Sequence, residues 1–284
     1  MSGSGNGSIS RRNFIRTSGA GVLAVSALGM GALSCAKKGE DVFKGFKVGV
    51  QSYTFRKFTV IEAIEKVKAL GLSYIEIYPG QLPVDSSDAE IAKVQQCLSD
   101  NGVNLVAYGV CGFEGDDEAV FRPYFELAKK TGIECISANP TAEALPVLDK
   151  LVAEYGVNIG IHNHGPKALY NKIDDVVVAC EGRNAGIGAC IDSGHFIRSD
   201  EDPVSAAKRL GARIHGIHIK DFIDVETETV IGEGKLDVAG FLQALKDVGF
   251  DGAFSIEFEL SPENPSPEVV ECVDAIKAAL KKVV

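Results

Sequence analysis

The sequence predicts a single-domain (β/α)8-barrel, and three observations carry that expectation. Short apolar runs alternate with amphipathic stretches from Phe46 onward. Several of the amphipathic stretches stop at a glycine. Ionisable side chains gather at the C-terminal ends of the later apolar runs, the end where such a barrel carries its chemistry.

Eight runs read as strands: residues 48–53, 74–78, 105–110, 133–138, 158–163, 187–192, 214–220 and 253–258. Between them, stretches such as 60–70, 89–99, 118–130, 142–155 and 238–248 repeat apolar residues every three or four positions. That spacing gives a helix one buried face. Gly71, Gly102, Gly132, Gly156 and Gly249 follow these stretches, and glycine accepts the left-handed backbone that closes a helix. Short buried strands alternating with helices imply parallel βαβ units, and eight of them close a barrel. An open doubly wound sheet is the other arrangement. No Gly-x-Gly-x-x-Gly follows the first strand, so no dinucleotide site is expected.

Composition sets outer bounds. The chain has 284 residues, 45% hydrophobic and 24% charged, without Trp. It can bury a large core without disulfides. Residues 36–284 hold 26 basic and 39 acidic residues, a net of −13. Such a surface repels phosphate backbones and anionic lipid, so no nucleic-acid partner is expected. Outside Cys35, six cysteines stand at 97, 111, 135, 180, 190 and 272, with no Cys-x-x-Cys pair. Three fall in strand patterns and three in helix patterns, as buried free thiols do.

Residues 1–35 read as an address. Ser10-Arg11-Arg12-Asn13-Phe14-Ile15-Arg16 resembles a twin-arginine export motif, and the uncharged stretch 19–33 reads as its apolar region. Ala32-Leu33-Ser34-Cys35 resembles a lipobox with its Leu one place late, leaving lipid attachment at Cys35 and soluble release as alternatives. The expected plan is a signal over 1–35, a linker over 36–45 and the barrel over 46–284. It makes the protein periplasmic, touching a membrane only through a lipid at Cys35; the oligomer is left open.

Side chains alternate in and out along a strand. Parity then groups Gly160, His162 and His164 on one face of the fifth strand, and Gly188, Cys190 and Asp192 on one face of the sixth. It groups Gly216, His218 and Lys220 on the seventh, and Ser255, Glu257 and Glu259 on the eighth. The small residue lies deep in most of these and the ionisable one near the top. His162, Asp192, His218 and Glu257 can thus surround one divalent ion. Two imidazoles and two carboxylates suit Mn, Co, Zn or Fe better than Mg.

Asp192-Ser193-Gly194-His195, His218-Ile219-Lys220-Asp221, the segment 232–237 (Gly-Glu-Gly-Lys-Leu-Asp) and Ser255-Ile256-Glu257 occur in that order. Together they resemble the sugar phosphate isomerase/epimerase family of the xylose isomerase-like barrel superfamily, from about Lys47 to the C-terminus. The resemblance implies that Asp192, His218 and Glu257 ligate metal and that His195 contacts substrate. It also implies a sugar or cyclitol substrate. The fifth strand departs from the pattern: epimerases carry Glu-Asn-His where this chain reads His162-Asn163-His164. The missing carboxylate is a ligand and one of two acid/base groups in those enzymes.

Epimerisation commonly uses one group on each face of the reacting carbon. Glu257 alone remains here as the base. A second group is sought in Glu76, Lys220 or His195, with Tyr53, Asn139 and His164 as hydroxyl binders at strand ends. Aldose–ketose isomerisation needs one face only, as does elimination or hydration beside a carbonyl. The expected function is a metal-dependent sugar isomerase or epimerase. A lyase or hydratase on a keto-sugar and a non-catalytic sugar-binding protein are the alternatives. Export argues for free or oxidised sugars over phosphorylated ones. Segment 232–237 is expected to turn the chain and cap the next helix at Asp237.

Overall fold

Eight parallel strands pair side by side and close into a ring in the computed structural model, which describes residues 41–284. They are β1 (Lys47–Gln51), β2 (Tyr74–Ile77), β3 (Asn104–Phe113), β4 (Cys135–Pro140), β5 (Asn158–His162), β6 (Ile187–Asp192), β7 (Ile214–Ile219) and β8 (Ala253–Ile256). β1 pairs with both β2 and β8, which closes the barrel. The expected fold is therefore the observed one. The segment expected to be a twin-arginine signal, its apolar stretch and Cys35 lie outside the described residues. Among the described residues, no helix is long and apolar enough to cross a membrane.

The helices outside the ring are α1 (Val60–Ala69), α2 (Asp88–Asn101), α3 (Glu118–Thr131), α4 (Leu145–Tyr155), α5 (Ile173–Cys180), α6 (Ser193–Arg198), α7 (Pro203–Leu210), α8 (Val238–Asp247) and α9 (Ser266–Leu280). Local chemistry sets their ends. Thr59 with Glu62, and Ser87 with Glu90, form reciprocal capping boxes at α1 and α2. Gly102 and Gly132 close α2 and α3 in the left-handed region, at φ 62° and 79°. Each helix turns an apolar stripe inward: Phe121 and Phe125 of α3 and Phe241 and Leu245 of α8 are fully covered. The six described cysteines are free thiols, five buried and Cys97 half-buried.

Five of the expected strands end one or two residues short of their apolar runs, and at β1 and β7 the reason is local. Tyr53 is not in β1, because Ser52–Phe55 winds into a 3-10 turn in which the Tyr53 amide donates to the Gln51 side chain. Lys220 stands just beyond β7, where the chain enters a small antiparallel hairpin of Asp221–Phe222 with Glu228–Thr229. Segment 232–237 wraps onto that hairpin. Buried Asp221 accepts hydrogen bonds from the amides of Phe222, Gly232, Gly234 and Leu236. Asp237 then caps α8 by accepting from the Gly240 amide, as expected from the sequence.

Candidate metal centre and substrate cavity

The ring brings His162, Asp192, His218 and Glu257 together, one from the end of each of β5 to β8. One donor atom from each lies within 4.8 Å of all the others, and all four residues are buried. Register does this directly. A shift between Ala189 and Cys190 sets Asp192 opposite His218, and His218 lies opposite Ser255, two residues before Glu257.

The donors converge, and the two imidazoles pair with one another while the carboxylate oxygens between them do not. His218 Nδ1 stands 2.9 Å from His162 Nε2 and 2.9 Å from Glu257 Oε2. His162 Nε2 is 3.5 Å from Asp192 Oδ2. Yet Asp192 Oδ2, Glu257 Oε2 and His162 Nδ1 are buried atoms with no hydrogen-bond partner among the described residues. Buried polar groups are almost always partnered, and the lone pairs of ionised carboxylates are the costliest to leave bare. A divalent cation fits this donor set and would give the two carboxylate oxygens their missing partner. Asp192 is already turned for it: as N-cap of α6 it spends Oδ1 on the His195 amide, at 2.7 Å, and leaves Oδ2 free.

Glu76 does not reach the cavity, contrary to its expected acid/base role. It is 1% exposed and lies in the barrel lumen beneath His218. Ser137 Oγ donates to its Oε1 at 2.7 Å, Ser255 Oγ to its Oε2 at 2.9 Å, and His218 Nε2 to its Oε2 at 2.9 Å. Burial pushes this carboxyl up, but His218 and the serines outweigh it and the net shift is downward. With its Nε2 proton committed to Glu76, His218 turns Nδ1 toward the cluster. This carboxylate–histidine relay fixes ring orientation and tautomer.

A cavity of about 360 Å³ opens beside the cluster. His162 and Glu257 form part of its wall together with His164, His195, Arg198, Lys220 and Glu259; Gln51, Tyr53 and Tyr78 stand among the other lining residues. Tyr53 and Tyr78 meet edge to face, at 4.9 Å between ring centres. Of the expected substrate contacts, Tyr53, His164 and His195 line the cavity. Asn139, half-buried at the end of β4, does not.

Lys220 lines the cavity but is poorly built to exchange a proton. Its ammonium pairs with Glu259 and lies 3.6 Å from Glu257 Oε2 and 3.8 Å from Asp192 Oδ2. Burial disfavours the charge, but Glu257, Asp192 and Glu259 outweigh it and hold the amine protonated. His195 behaves in the opposite sense: burial lowers it to about 4, with Lys220 helping, so it is neutral near pH 7. Burial and the neighbouring imidazoles lower His164 to about 3. Burial also opposes charge on Glu257, yet Lys220 and His218 pull it below the usual carboxylate range.

Sequence reasoning missed Gln51, Tyr78 and Arg198 as lining residues. Parity could have found Tyr78, two residues beyond Glu76. Arg198 follows His195 by three, on the same face of a helix too short to show a pattern.

The sequence pattern of the xylose isomerase-like TIM barrel family matches residues 64–279. The chain belongs to that family. An inosose isomerase of Bacillus velezensis is 24% identical to this xylose isomerase-like barrel over 266 residues, covering 80% of this chain and 95% of its own. An inosose dehydratase of Lacticaseibacillus casei is 25% identical over 210 residues, covering 65% and 67%. A crystal structure of IOLI protein with a bound zinc atom shares the fold, with a TM-score of 0.69 at 20% identity, over 84% of this chain and 99% of that one. This member of the xylose isomerase-like family is an enzyme of the isomerase/epimerase type, with lyase chemistry within the same group.

Proposed function

We propose that the protein is a metal-dependent isomerase of a sugar or cyclitol, working by proton transfer at a carbon next to a carbonyl. The observation that carries this is the pair of buried, unpartnered carboxylate oxygens, Asp192 Oδ2 and Glu257 Oε2, set among imidazole nitrogens at the wall of a cavity. His162, Asp192, His218 and Glu257 would hold the ion. When bound, a divalent ion supplies Lewis-acid polarisation of a carbonyl. Zinc in the IOLI structure and the N2O2 donor set both accord with a transition metal.

The chain's own groups divide the remaining work. Glu257 is ionised and lines the cavity, so it can accept the proton. Lys220 is a fixed cation beside it and stabilises negative charge building on a substrate oxygen. Tyr53 and Tyr78 offer an aromatic surface to a polyhydroxylated ring. Relatives named for inosose point to a cyclitol ketone or similar keto-sugar.

A lyase reading has its own support. β5 carries His162 where a two-sided epimerase carries a carboxylate, and Glu76 lies out of reach. A single base on one face suits enolisation followed either by reprotonation at the neighbouring carbon or by loss of a hydroxyl. The test is metal analysis of the purified chain together with incubation of inososes and ketoses in deuterated water. Stoichiometric metal and deuterium beside the carbonyl are expected, and the products then separate isomer from dehydrated sugar. Stoichiometric metal with no exchange on any of these substrates would refute the enolisation reading.

A further inference from the structure

Arg198 has four contacts, and none of them is with an acid of the described residues. Its Nε donates to the Val225 carbonyl at 2.8 Å, at the tip of the hairpin that follows β7. Its guanidinium lies over the Phe222 ring, 5.3 Å from the centre. Another contact is with Gly165, where a Cβ would stand 3.0 Å from both Cζ and Nη1. The chain therefore has no side chain where one would displace the guanidinium. Nη1 stands 3.0 Å from His195 Nδ1.

An arginine donates and never accepts. His195 Nδ1 must then be the acceptor, and a neutral ring carries its proton on Nε2. That nitrogen lies on the Asp192 side, 4.0 Å from Oδ2, and His195 lines the cavity.

We infer that Arg198 is a positioning residue that locks His195 as a hydrogen-bond donor, Nε2–H, toward a substrate oxygen, and that ties this donor to the hairpin that follows β7. The inference rests on the proposed function for what the donor is used for, but not for its tautomer. A donor here binds a carbonyl or a charged oxygen and cannot take a proton from carbon. His195 is thereby removed from the choice of second base, and the hairpin's seating is coupled to the donor's aim through Val225.

The test uses the full chain, zinc-loaded and labelled with 15N at histidine. At pH 7 the His195 ring is expected to show a protonated Nε2 and an unprotonated Nδ1 that accepts a hydrogen bond. Arg198→Met should move the Nδ1 resonance toward that of a lone pair with no donor. The same variant should lose about 10- to 100-fold in kcat/KM, as misaligned groups do, while bound zinc is unchanged. Arg198→Lys should recover only part, because one ammonium cannot reproduce the Val225 and His195 contacts together. A protonated Nδ1 in the unaltered chain, or an Nδ1 signal indifferent to Arg198→Met, overturns the inference. Both readings are made without turnover, so a chain that enolises no sugar refutes the proposed function and leaves this one standing.

Discussion

Glu76 and His218 show how a group outside the metal-ligand cluster sets what a group inside it can do. Two serine hydroxyls and one imidazole N–H surround the Glu76 carboxylate, which is 1% exposed. Its charge holds the Nε2 proton of His218 and leaves Nδ1 for an ion. Glu76→Gln keeps an acceptor but removes the charge, and metal affinity is expected to fall about 10- to 100-fold. Competition against a fluorescent chelator measures this, and an unchanged affinity would take Glu76 out of the relay. His218→Ala is a different experiment. It removes a ligand and also strands a buried carboxylate without its ring partner, which costs about 3 to 5 kcal/mol. A ligand knock-out at His218 therefore unsettles the barrel as well as the site. Urea denaturation should show the loss, and adding Glu76→Gln to His218→Ala should return part of it.

At the scale of elements, the loop after β7 depends on one side chain. Asp221 is wholly buried, and four backbone amides from Phe222, Gly232, Gly234 and Leu236 point at its two oxygens. Gly234 comes so near that a Cβ would lie 2.3 Å from Asp221 Oδ1. Asp221→Ala orphans all four amides, and the expected cost is at least about 3 kcal/mol, since hydrogen bonds to a charged acceptor are the strong ones. Hydrogen exchange at Gly232, Gly234 and Leu236 should accelerate while the barrel strands stay protected; protection kept at those three amides would contradict the account. The same region marks the limit of what sequence patterns convey. The ends of β5 to β8 were legible because a strand has a strict period of two, so His162, Asp192, His218 and Glu257 fell on one side by counting. Neither α6 nor the hairpin is long enough to display a period. Arg198 and the role of Asp221 were accordingly invisible, although Asp237 was readable as a cap. Glu76 was placed on the correct face and given the wrong task, because parity gives direction but not depth along the lumen.

Taken as a whole, the barrel is a closed ring in which four successive strands each contribute one donor to a single point. Without a cation, Asp192 Oδ2 and Glu257 Oε2 are buried with no hydrogen-bond partner among the described residues, and the Lys220 ammonium stands off at 3.8 and 3.6 Å. The unfolded chain scatters these four groups over residues 162 to 257 and cannot offer them together. An ion that binds only the folded ring stabilises it by mass action, about 2.7 kcal/mol when free metal is a hundred times its Kd. For a domain of this size each kcal/mol moves Tm by about 2 to 4 °C, so chelation should lower Tm by about 5 to 10 °C. Zinc, manganese or cobalt should restore it. Magnesium should do so less well, because two of the four donors are imidazoles. Scanning calorimetry with and without chelator decides the matter. A Tm that ignores both chelator and added ion would mean the four groups meet without holding a metal, and the catalytic reading of Glu257 would lose its foundation.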